Sequence, residues 1–468
     1  MSTNTLNLIA IDCGNSSIRT TLGRFDGERF STQLISRTEQ KEVLLGGLYY
    51  WDLPFIVQQI KEGIAKAAAI CGHIDSAAIS TWGIDFGMLN EENLLISLPL
   101  SYRNTLGGSG LEAQSKEQLW RNFMHTGIQN DKINTLYQLV GLRSRFPKTY
   151  ASAHKILMIP DLLNFFFTGE MSAEATQTST SQLFDTKQKQ YAAEIFDAYD
   201  IKRELFASLL PHGSERGMLL PGIADELGIT PFPFITIPAH DTAAAVAAVT
   251  PESEEAFLFI SSGTWSLIGT ELGAPVIDER VYASSFTNEE GILGTTTLLK
   301  NSAGLYIARR IFEEASKENP SINWDTATML AAQTEGAGHL IDPNDQDLFN
   351  PVNMRQTIKS KAGLAEAKDA LLFRIVYESL AASYKKAFDE IEALTGRQYK
   401  TVYIVGGGAE NQLLNRLTEQ ASGKRVRVGF KEATSVGNLG AQLLYRKHAS
   451  GLKEVRHILK RSALDQRP

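Results

Sequence analysis

An aspartate beside a histidine stands where a short apolar stretch gives way to alanines. The stretch reads FITIPAHDTAAAVAAV, and Asp241 is its only carboxylate. A carboxylate at the end of a strand lies on the usual ligand side of an open α/β sheet and can accept a hydroxyl proton. A carboxylate near a helix N-terminus stays ionised and is a weak base at neutral pH. Phosphoryl transfer can use a weak base, because its loose transition state depends mainly on positioning and charge neutralisation. A second interpretation makes Asp241 or Thr242 the N-cap of the following helix.

The turn DCGNSS at residues 12–17 is a second candidate site. Asp12 ends an apolar run, and backbone N–H groups follow it together with the hydroxyls of Ser16 and Ser17. Such a turn can hold phosphate oxygens while the carboxylate attracts Mg²⁺. A plain hairpin with an Asx-type turn explains the same residues. Cys13 is interpreted as a small buried residue.

Three consecutive glycines, residues 406–408, follow an apolar run and precede a helical pattern. Unhindered backbone there can approach a base or a phosphate, and a helix start favours anions. A turn that needs positive φ is the other explanation. No GxGxxG, GxxxxGK[ST], GxSxG or HExxH pattern occurs, which excludes the usual P-loop enzymes and disfavours a serine hydrolase or a histidine-bound metal.

The elements that must position these residues follow from apolar periodicity. Residues 6–23 and 257–270 each read as a strand, a turn and a second strand, which suggests two domains of related topology. Alternating strands and helices predict an α/β architecture with buried, partly parallel sheets. Further predictions are a strand and loop at 74–86, an amphipathic helix at 150–169, a buried strand at 234–238 and a long helix at 370–394.

The length of the chain predicts two domains. Its 468 residues exceed what one hydrophobic core usually serves. The best boundary candidate is the segment 249–255, which gives an N-terminal domain over 1–248 and a C-terminal domain over 249–468.

Composition limits the partners of the protein. The chain has 46 Lys and Arg against 53 Asp and Glu, which gives a net charge of −7. A chain without an excess of basic residues is not expected to bind a nucleic-acid backbone, so a small-molecule partner is expected. No apolar run approaches the roughly 20 residues that span a bilayer, and the N-terminus lacks the features of a signal peptide. We therefore expect a cytoplasmic protein without a membrane partner, present as a monomer or a homodimer. Two cysteines are too few for a disulfide scaffold.

An ordered set of motifs resembles the FGGY carbohydrate kinases: DCGNSS, STWGIDF, YRN, NTLYQL, TGE, TSQLFD, HDT, SSGTWSL, LKN and VGGGAENQLLN. The resemblance runs from residue 8 to residue 444. It implies two ribonuclease-H-like domains, as in the actin-like ATPases, that close over a sugar and MgATP. ATP and Mg²⁺ are thus the implied cofactors. A chaperone or filament ATPase and a non-catalytic sugar sensor are the competing functions for such a fold.

The resemblance also assigns roles to residues at matching motifs. Asp241 would be the proton acceptor, and Asp12 the partner of Mg²⁺. The sugar would be held by Gly83, His240, Asp241, Thr242 and Asn301. ATP would be contacted by Asn15, Ser16, Ser17, Ile18, Arg19, Thr264, Gly407 and Gly408.

Two motifs depart, at three positions, from the pattern of the most similar kinases, which act on L-rhamnulose. Arg309 stands eight positions after Asn301, where that pattern has a nucleotide-contacting glutamine, so contact with phosphate and exposure to solvent are both open. Cys13 and Asn15 replace an aliphatic residue and an alanine, and the DCG form resembles L-fuculose kinases. The expected reaction is phosphorylation of the 1-hydroxyl of a 6-deoxy-L-ketohexose, first L-rhamnulose, with L-fuculose or another ketose such as xylulose as alternatives.

Overall fold

The structure is a computed structural model that describes residues 5–252, 255–320, 322–336 and 338–464. Within the predicted boundary segment 249–255, Ser253 and Glu254 lie outside these residues. The strands are β1 (Leu6–Cys13), β2 (Ser17–Phe25), β3 (Phe30–Glu39), β4 (Glu42–Leu45), β5 (Leu48–Trp51), β6 (Ser76–Thr81), β7 (Phe86–Leu89), β8 (Lys155–Met158), β9 (Phe184–Asp185), β10 (Gln190–Tyr191), β11 (Glu215–Met218), β12 (Pro233–Ile235), β13 (Leu258–Ser262), β14 (Trp265–Leu272), β15 (Thr287–Glu290), β16 (Thr296–Ala303), β17 (Thr401–Val405) and β18 (Arg425–Val428).

Helices and strands are mixed along the chain, as expected for an α/β architecture, although β1–β5 form a run without a helix and the helices also occur in runs. The helices are α1 (Leu53–Cys71), α2 (Leu106–Glu112), α3 (Lys116–Thr126), α4 (Thr135–Arg145), α5 (Pro147–Ala151), α6 (Ile159–Thr168), α7 (Ala175–Ser179), α8 (Ala193–Ala198), α9 (Pro221–Leu227), α10 (Asp241–Ala247), α11 (Glu279–Ala283), α12 (Tyr306–Glu318), α13 (Trp324–Gln333), α14 (Met354–Ala362), α15 (Asp369–Thr395), α16 (Gln412–Ser422), α17 (Ala433–Gln442) and α18 (Leu452–Leu464). No helix in the described ranges is both long and apolar enough to cross a membrane.

The chain divides into two compact units, and neither unit is one continuous segment. The first unit comprises the chain up to Thr250, the segment Leu272–Leu298 and the chain from Ala433 onward. The second unit comprises Pro251–Glu271 and Leu299–Glu432. The boundary expected from the sequence, between residues 248 and 249, lies close to the first junction. Two segments beyond that boundary nevertheless belong to the first unit.

The first unit is built on a six-stranded sheet with the order β11-β12-β6-β1-β2-β3. β1 and β2 form the predicted antiparallel hairpin, while β6 runs parallel to both β1 and β12. The last six residues of β1 are buried without alternation, as expected for a strand covered on both faces. Helices α1 and α17 pack on this sheet. The carboxyl ends of β1, β6 and β12 therefore lie at the same edge.

The strands of the second unit follow the order β16-β14-β13-β17-β18. β13 and β14 form the second predicted hairpin, and β17 runs parallel to β13 and β18. The long helix predicted at 370–394 is α15, which has 27 residues. The predicted sequence of strand, glycine turn and helix is also confirmed, as β17 followed by α16.

The prediction of one amphipathic helix over residues 150–169 is wrong. The chain there forms the end of α5, the strand β8 and the helix α6. β8 pairs antiparallel with β7, and its last three residues are buried in the apolar core. Three consecutive apolar residues fit a buried strand and a buried helix turn equally well. Pairing with β7, which the local pattern does not show, decides between them.

Candidate active site

Asp241 is the first residue of α10, a helix of seven residues. The N-cap position is occupied by His240, without a side-chain cap hydrogen bond, so the interpretation of Asp241 or Thr242 as the N-cap is wrong. The Asp241 side chain is 32% exposed. Thr242, itself buried, donates a hydrogen bond from Oγ1 to Asp241 Oδ1 at 3.3 Å. The Asp241 carboxylate is therefore accessible and free of a helix-capping role.

The backbone before Asp241 is fixed by hydrogen bonds from two directions. Thr81, the last residue of β6, donates its N–H to Ala239 O at 2.8 Å. Glu174, the buried N-cap residue of α7, accepts Ala239 N–H at 3.1 Å, and Thr176 Oγ1 in α7 accepts the N–H of His240 at 3.1 Å. These bonds extend the sheet past β12 and hold the segment that presents His240 and the aspartate.

The same end of β6 also adjoins the turn that follows β1. Cys13 pairs with Thr81 across the parallel strands, and Trp82 donates its N–H to Cys13 O at 3.2 Å. His240 forms a bridge on the other side of Thr81. Because neighbouring strands lie about 4.8 Å apart, the backbones of Cys13 and His240 are roughly 10 Å apart. The structure thus brings the DCGNSS turn and the HDT stretch to one sheet edge.

Helix α10 packs closely on α17. A Cβ added to Gly437 would lie only 1.9 Å from Ala244 O, so no larger residue fits there without movement. Thr434 donates from Oγ1 to Asp241 O at 3.3 Å. The alanines of α10 and the glycine of α17 therefore fix the position of the helix that carries the aspartate. This contact explains the alanine-rich composition of the segment.

His240 lies between two carboxylates. Its Nδ1 is 3.2 Å from Glu289 Oε2, and its Nε2 is 3.5 Å from Asp241 Oδ1, with only 10% of the side chain exposed. Burial disfavours the charged imidazole, but Glu289 and then Asp241 outweigh it and raise the pKa of His240 to about 9. The histidine is therefore cationic at neutral pH. The sequence predicts His240 but gives no signal for Glu289.

Gly83 lies in a tightly held loop after β6. A Cβ at this position would approach the Thr180 side chain to 3.0 Å. Thr180 Oγ1 accepts the N–H of Ile84, whose φ of 72° is strained for a β-branched residue. Burial raises the pKa of the next residue, Asp85, to about 6. Three side chains donate to the Asp85 carboxylate and oppose that rise: Trp51, Trp82 and Gln138.

The turn after β1 ties its carbonyl groups back into the protein. Gly14 N–H donates to Ser17 O at 3.0 Å, and Gln40 donates from its side chain to Gly14 O and from its backbone to Ser16 O. Asn15 and Ser16 are exposed. Ser17 Oγ is buried and has no hydrogen-bond partner among the described residues. With the carbonyl oxygens of Gly14, Ser16 and Ser17 occupied, the turn presents polar groups that suit phosphate.

Asp12 and Arg19 face each other across the β1–β2 hairpin. Arg19 Nη1 donates to the buried Asp12 Oδ2 at 2.9 Å. Ile18 is buried, so it offers only backbone to the turn. The described residues contain no group of three or more side chains able to hold a metal ion. Mg²⁺ usually needs just one or two carboxylates beside substrate phosphates, so the acidic and basic pair fits a magnesium-bound phosphate.

In the second unit, Thr264 lies exposed in the turn of the β13–β14 hairpin. Gly263 N–H donates to Trp265 O at 2.9 Å. The carbonyls of Gly263 and Thr264 accept the N–H groups of Leu305 and Tyr306, at the start of α12. This turn, like that after β1, therefore has its carbonyls bound by the protein.

The three glycines after β17 have three different environments. Gly406 adopts φ +86°, which favours glycine. A Cβ on Gly408 would lie 2.1 Å from Ser262 Oγ and 2.8 Å from Leu305 Cδ1, whereas one on Gly407 would meet nothing within 4 Å. The turn explanation thus accounts for Gly406, and packing accounts for Gly408. Gly407 is the glycine whose backbone is open to a ligand.

We expect Gly407→Ala and Gly408→Ala to affect different properties. The Gly408 variant overpacks the contact with Ser262 and should lower the free energy of unfolding by about 1–3 kcal/mol. The Gly407 variant should keep its stability and, with a methyl group on the open backbone, raise KM for ATP. Thermal melting and ADP-release kinetics measure the two effects. Equal melting temperatures would contradict the assignment of Gly408 to packing.

Asn301 and Arg309 are both exposed in the second unit. Asn301 lies on β16. Arg309, on α12, is 64% exposed and donates from Nε to Glu313 one helical turn away at 2.8 Å. An exposed pair of this kind contributes only about 0.3–0.5 kcal/mol, so it holds the arginine weakly. Contact between Arg309 and ATP stays a prediction.

Family models identify the class of protein to which these elements belong. The N-terminal domain of the FGGY family of carbohydrate kinases matches residues 7–248, and the C-terminal domain of the same family matches residues 258–444. The chain belongs to this family and is a sugar kinase; kinases of this family use ATP as the phosphate donor. It is similar to the rhamnulokinase of Bacteroides thetaiotaomicron, with 33% identity over 97% of this chain and 94% of the relative. The rhamnulokinase of Oceanobacillus iheyensis is also 33% identical, over 97% and 96%.

Solved structures confirm the fold. A ligand-bound xylulose kinase from Lactobacillus acidophilus superposes with a TM-score of 0.79 at 13% identity, over 97% of this chain and 92% of that one. A glycerol kinase from Plasmodium falciparum with ADP gives a TM-score of 0.79 at 13% identity, over the same shares. The predicted α/β architecture of two ribonuclease-H-like domains, as in actin-like ATPases, is therefore confirmed.

Proposed function

We propose that the chain transfers the γ-phosphoryl group of ATP to the 1-hydroxyl of a 6-deoxy-L-ketohexose, first of all L-rhamnulose. The likeness to rhamnulokinases over 97% of the chain carries this proposal, since it includes every residue assigned to the sugar. L-fuculose is the second candidate, because the DCG turn around Cys13 resembles kinases of that sugar. Xylulose follows, as a ketose phosphorylated within the same family.

Asp241 is the proposed proton acceptor for the sugar hydroxyl. Its carboxylate is partly exposed, close to the cationic His240, and held at a sheet edge by the bonds to Ala239. The proton leaves late in a loose phosphoryl transfer, so the base needs position more than strength. His240, Thr242, Gly83 and Asn301 are proposed to hold the sugar.

The phosphate groups of ATP are proposed to lie against the turn after β1. Asn15, Ser16, Ser17 and the backbone of Ile18 would contact phosphate oxygens, and Arg19 would neutralise part of their charge. Asp12 would hold Mg²⁺, which supplies further positive charge to the phosphoryl group when bound. In the second unit, Thr264 and Gly407 are the proposed nucleotide contacts, and Gly408 is proposed to support them by packing against Ser262.

A substrate panel tests the sugar assignment. ADP release would be measured with L-rhamnulose, L-fuculose, L-xylulose, D-xylulose, D-ribulose and glycerol. We expect L-rhamnulose to give the highest kcat/KM, by about 10- to 200-fold over sugars that lack the C6 methyl group, since one methyl group contributes about 1–3 kcal/mol of discrimination. A preference for glycerol or an unsubstituted pentulose contradicts the proposal. The position of the phosphate would be determined by ³¹P–¹³C coupling in the product.

A further inference from the structure

Glu289 lies on β15, a strand of the first unit that is anchored on both sides of this residue. Asn288 donates its N–H to Gly127 O at 2.9 Å, and Glu290 donates its N–H to Ser179 Oγ at 3.0 Å. Asn288 and Glu290 are buried, whereas Glu289 is partly exposed on the alternate face of the strand. The backbone is thus held before and after Glu289, and its side chain reaches His240 from a fixed position.

We propose that Glu289 is a positioning residue for phosphoryl transfer. Glu289 keeps His240 doubly protonated, so that the Nε2–H of His240 faces Asp241. The inference rests on the proposed function of this site. One imidazole nitrogen lies 3.2 Å from a Glu289 oxygen and the other 3.5 Å from an Asp241 oxygen. At these distances an unprotonated nitrogen would bring its lone pair close to a negatively charged oxygen, which disfavours the neutral imidazole. The Nδ1 contact is an ion pair at 3.2 Å that lacks the angle of a hydrogen bond.

This arrangement separates the roles of two neighbouring residues. A neutral histidine beside the sugar could itself accept the hydroxyl proton and compete with Asp241. The cationic form has no lone pair available and can only donate. Glu289 therefore leaves Asp241 as the proton acceptor and gives His240 the role of a donor to the aspartate or to the sugar.

The charged groups around His240 come from three elements. Asp241 faces it from α10 and Glu289 from β15, and Glu174 lies beyond Ala239 at the start of α7. His212 pairs with Glu174, with Nε2 2.6 Å from Oε1. The β6 neighbour Thr81 is neutral. Glu289 is the closest carboxylate and the strongest of the three in raising the pKa of His240.

The test compares Glu289→Gln with Glu290→Gln in the full chain. Glutamine keeps the shape of each side chain and removes its charge. Glu290 is the matched control because it is the next residue but pairs with Lys189 instead of His240. The titration of His240 would be followed by NMR on ¹⁵N-histidine protein, with His240→Gln used only to assign the signal.

In the wild-type protein we expect His240 to stay protonated up to about pH 9. In Glu289→Gln the midpoint of the His240 titration should move down by roughly one to three pH units, because a nearby opposite charge usually shifts a pKa by that amount. The loss of kcat at alkaline pH should then begin at a correspondingly lower pH, while KM for ATP stays unchanged. Glu290→Gln should leave the His240 titration in place, and Glu289→Asp, which restores the charge, should recover most of the shift.

An unchanged His240 titration in Glu289→Gln overturns the proposal. So does a titration that shifts while the kcat profile stays in place, because Glu289 would then act on His240 without influencing the transfer. Wild-type protein that phosphorylates none of the ketoses contradicts the proposed function and with it the positioning role. The histidine titration distinguishes the two failures, since it measures the effect of Glu289 without any turnover. Thermal melting of each variant identifies loss of folding.

Discussion

Asp241→Asn is expected to lower kcat for sugar phosphorylation by about 10²- to 10⁴-fold, the usual contribution of a positioned general base. The amide has nearly the same shape as the carboxylate but cannot take the hydroxyl proton. Because the Asp241 side chain is partly exposed and has no capping role, the free energy of unfolding should change by only about 0.5 kcal/mol. ADP release gives kcat, and calorimetry gives the affinity for ATP.

The matched control for this variant is Asp225→Asn. Asp225 is an exposed aspartate on α9 in the same unit, and its replacement should leave kcat unchanged. ATP affinity should be the same in both variants and the wild type. If kcat of the Asp241→Asn protein stays within tenfold of the wild-type value, Asp241 is not the base. A raised sugar KM with normal kcat would leave it only a binding role.

The parts of this site that are predictable from sequence are those defined by neighbouring residues. Asp12 and Asp241 each follow an apolar run that is buried in a sheet, and each precedes a turn or a helix with its own local signature. Strand ends that carry such residues meet at one edge when the strands run parallel. Burial and chain direction therefore predict that both carboxylates lie at one edge of the sheet, whereas their proposed roles come from the family resemblance.

Contacts between distant segments leave no such signature. Glu289 reaches His240 because β15 is anchored to Gly127 and Ser179, and nothing in the sequence TNEEG distinguishes it from Glu290. The same limit applies to the glycine turn. Gly406, Gly407 and Gly408 differ in φ and in their distance from Ser262, two properties that depend on the packing of β13 and β17.

Glu174 is a buried carboxylate that sequence reasoning does not single out, although it lies under the segment that carries Asp241. Its side chain is fully buried and accepts hydrogen bonds from the N–H groups of Thr176, Gln177 and Ala239. It also accepts from Thr176 Oγ1 and from His212 Nε2 at 2.6 Å each. His212 can donate there because its Nδ1 accepts the N–H of Leu293. One carboxylate thus connects α7, the loop at His212 and the backbone before the HDT stretch.

We expect Glu174→Ala to lower the free energy of unfolding by about 3–5 kcal/mol, because its buried donors lose their acceptor together. The kcat should fall as well, since Ala239 loses the bond that positions the segment before Asp241. Thermal melting and ADP release measure the two effects. Glu170→Ala, at an exposed glutamate four residues earlier, is the control and should change stability by about 0.5 kcal/mol at most.

The stabilisation by Glu174 should also depend on pH. Burial alone would raise its pKa, but hydrogen bonding with His212 and with Thr176 outweighs burial and lowers the pKa below its ordinary 4.5. A carboxyl whose pKa is lower in the folded state stabilises the fold above its unfolded pKa, and that contribution is lost as the pH falls through the folded value. The difference in melting temperature between the wild type and Glu174→Gln should therefore be constant near neutral pH and shrink below about pH 4.5. A difference that grows on acidification would mean that the protonated form of Glu174 is the one that holds Ala239.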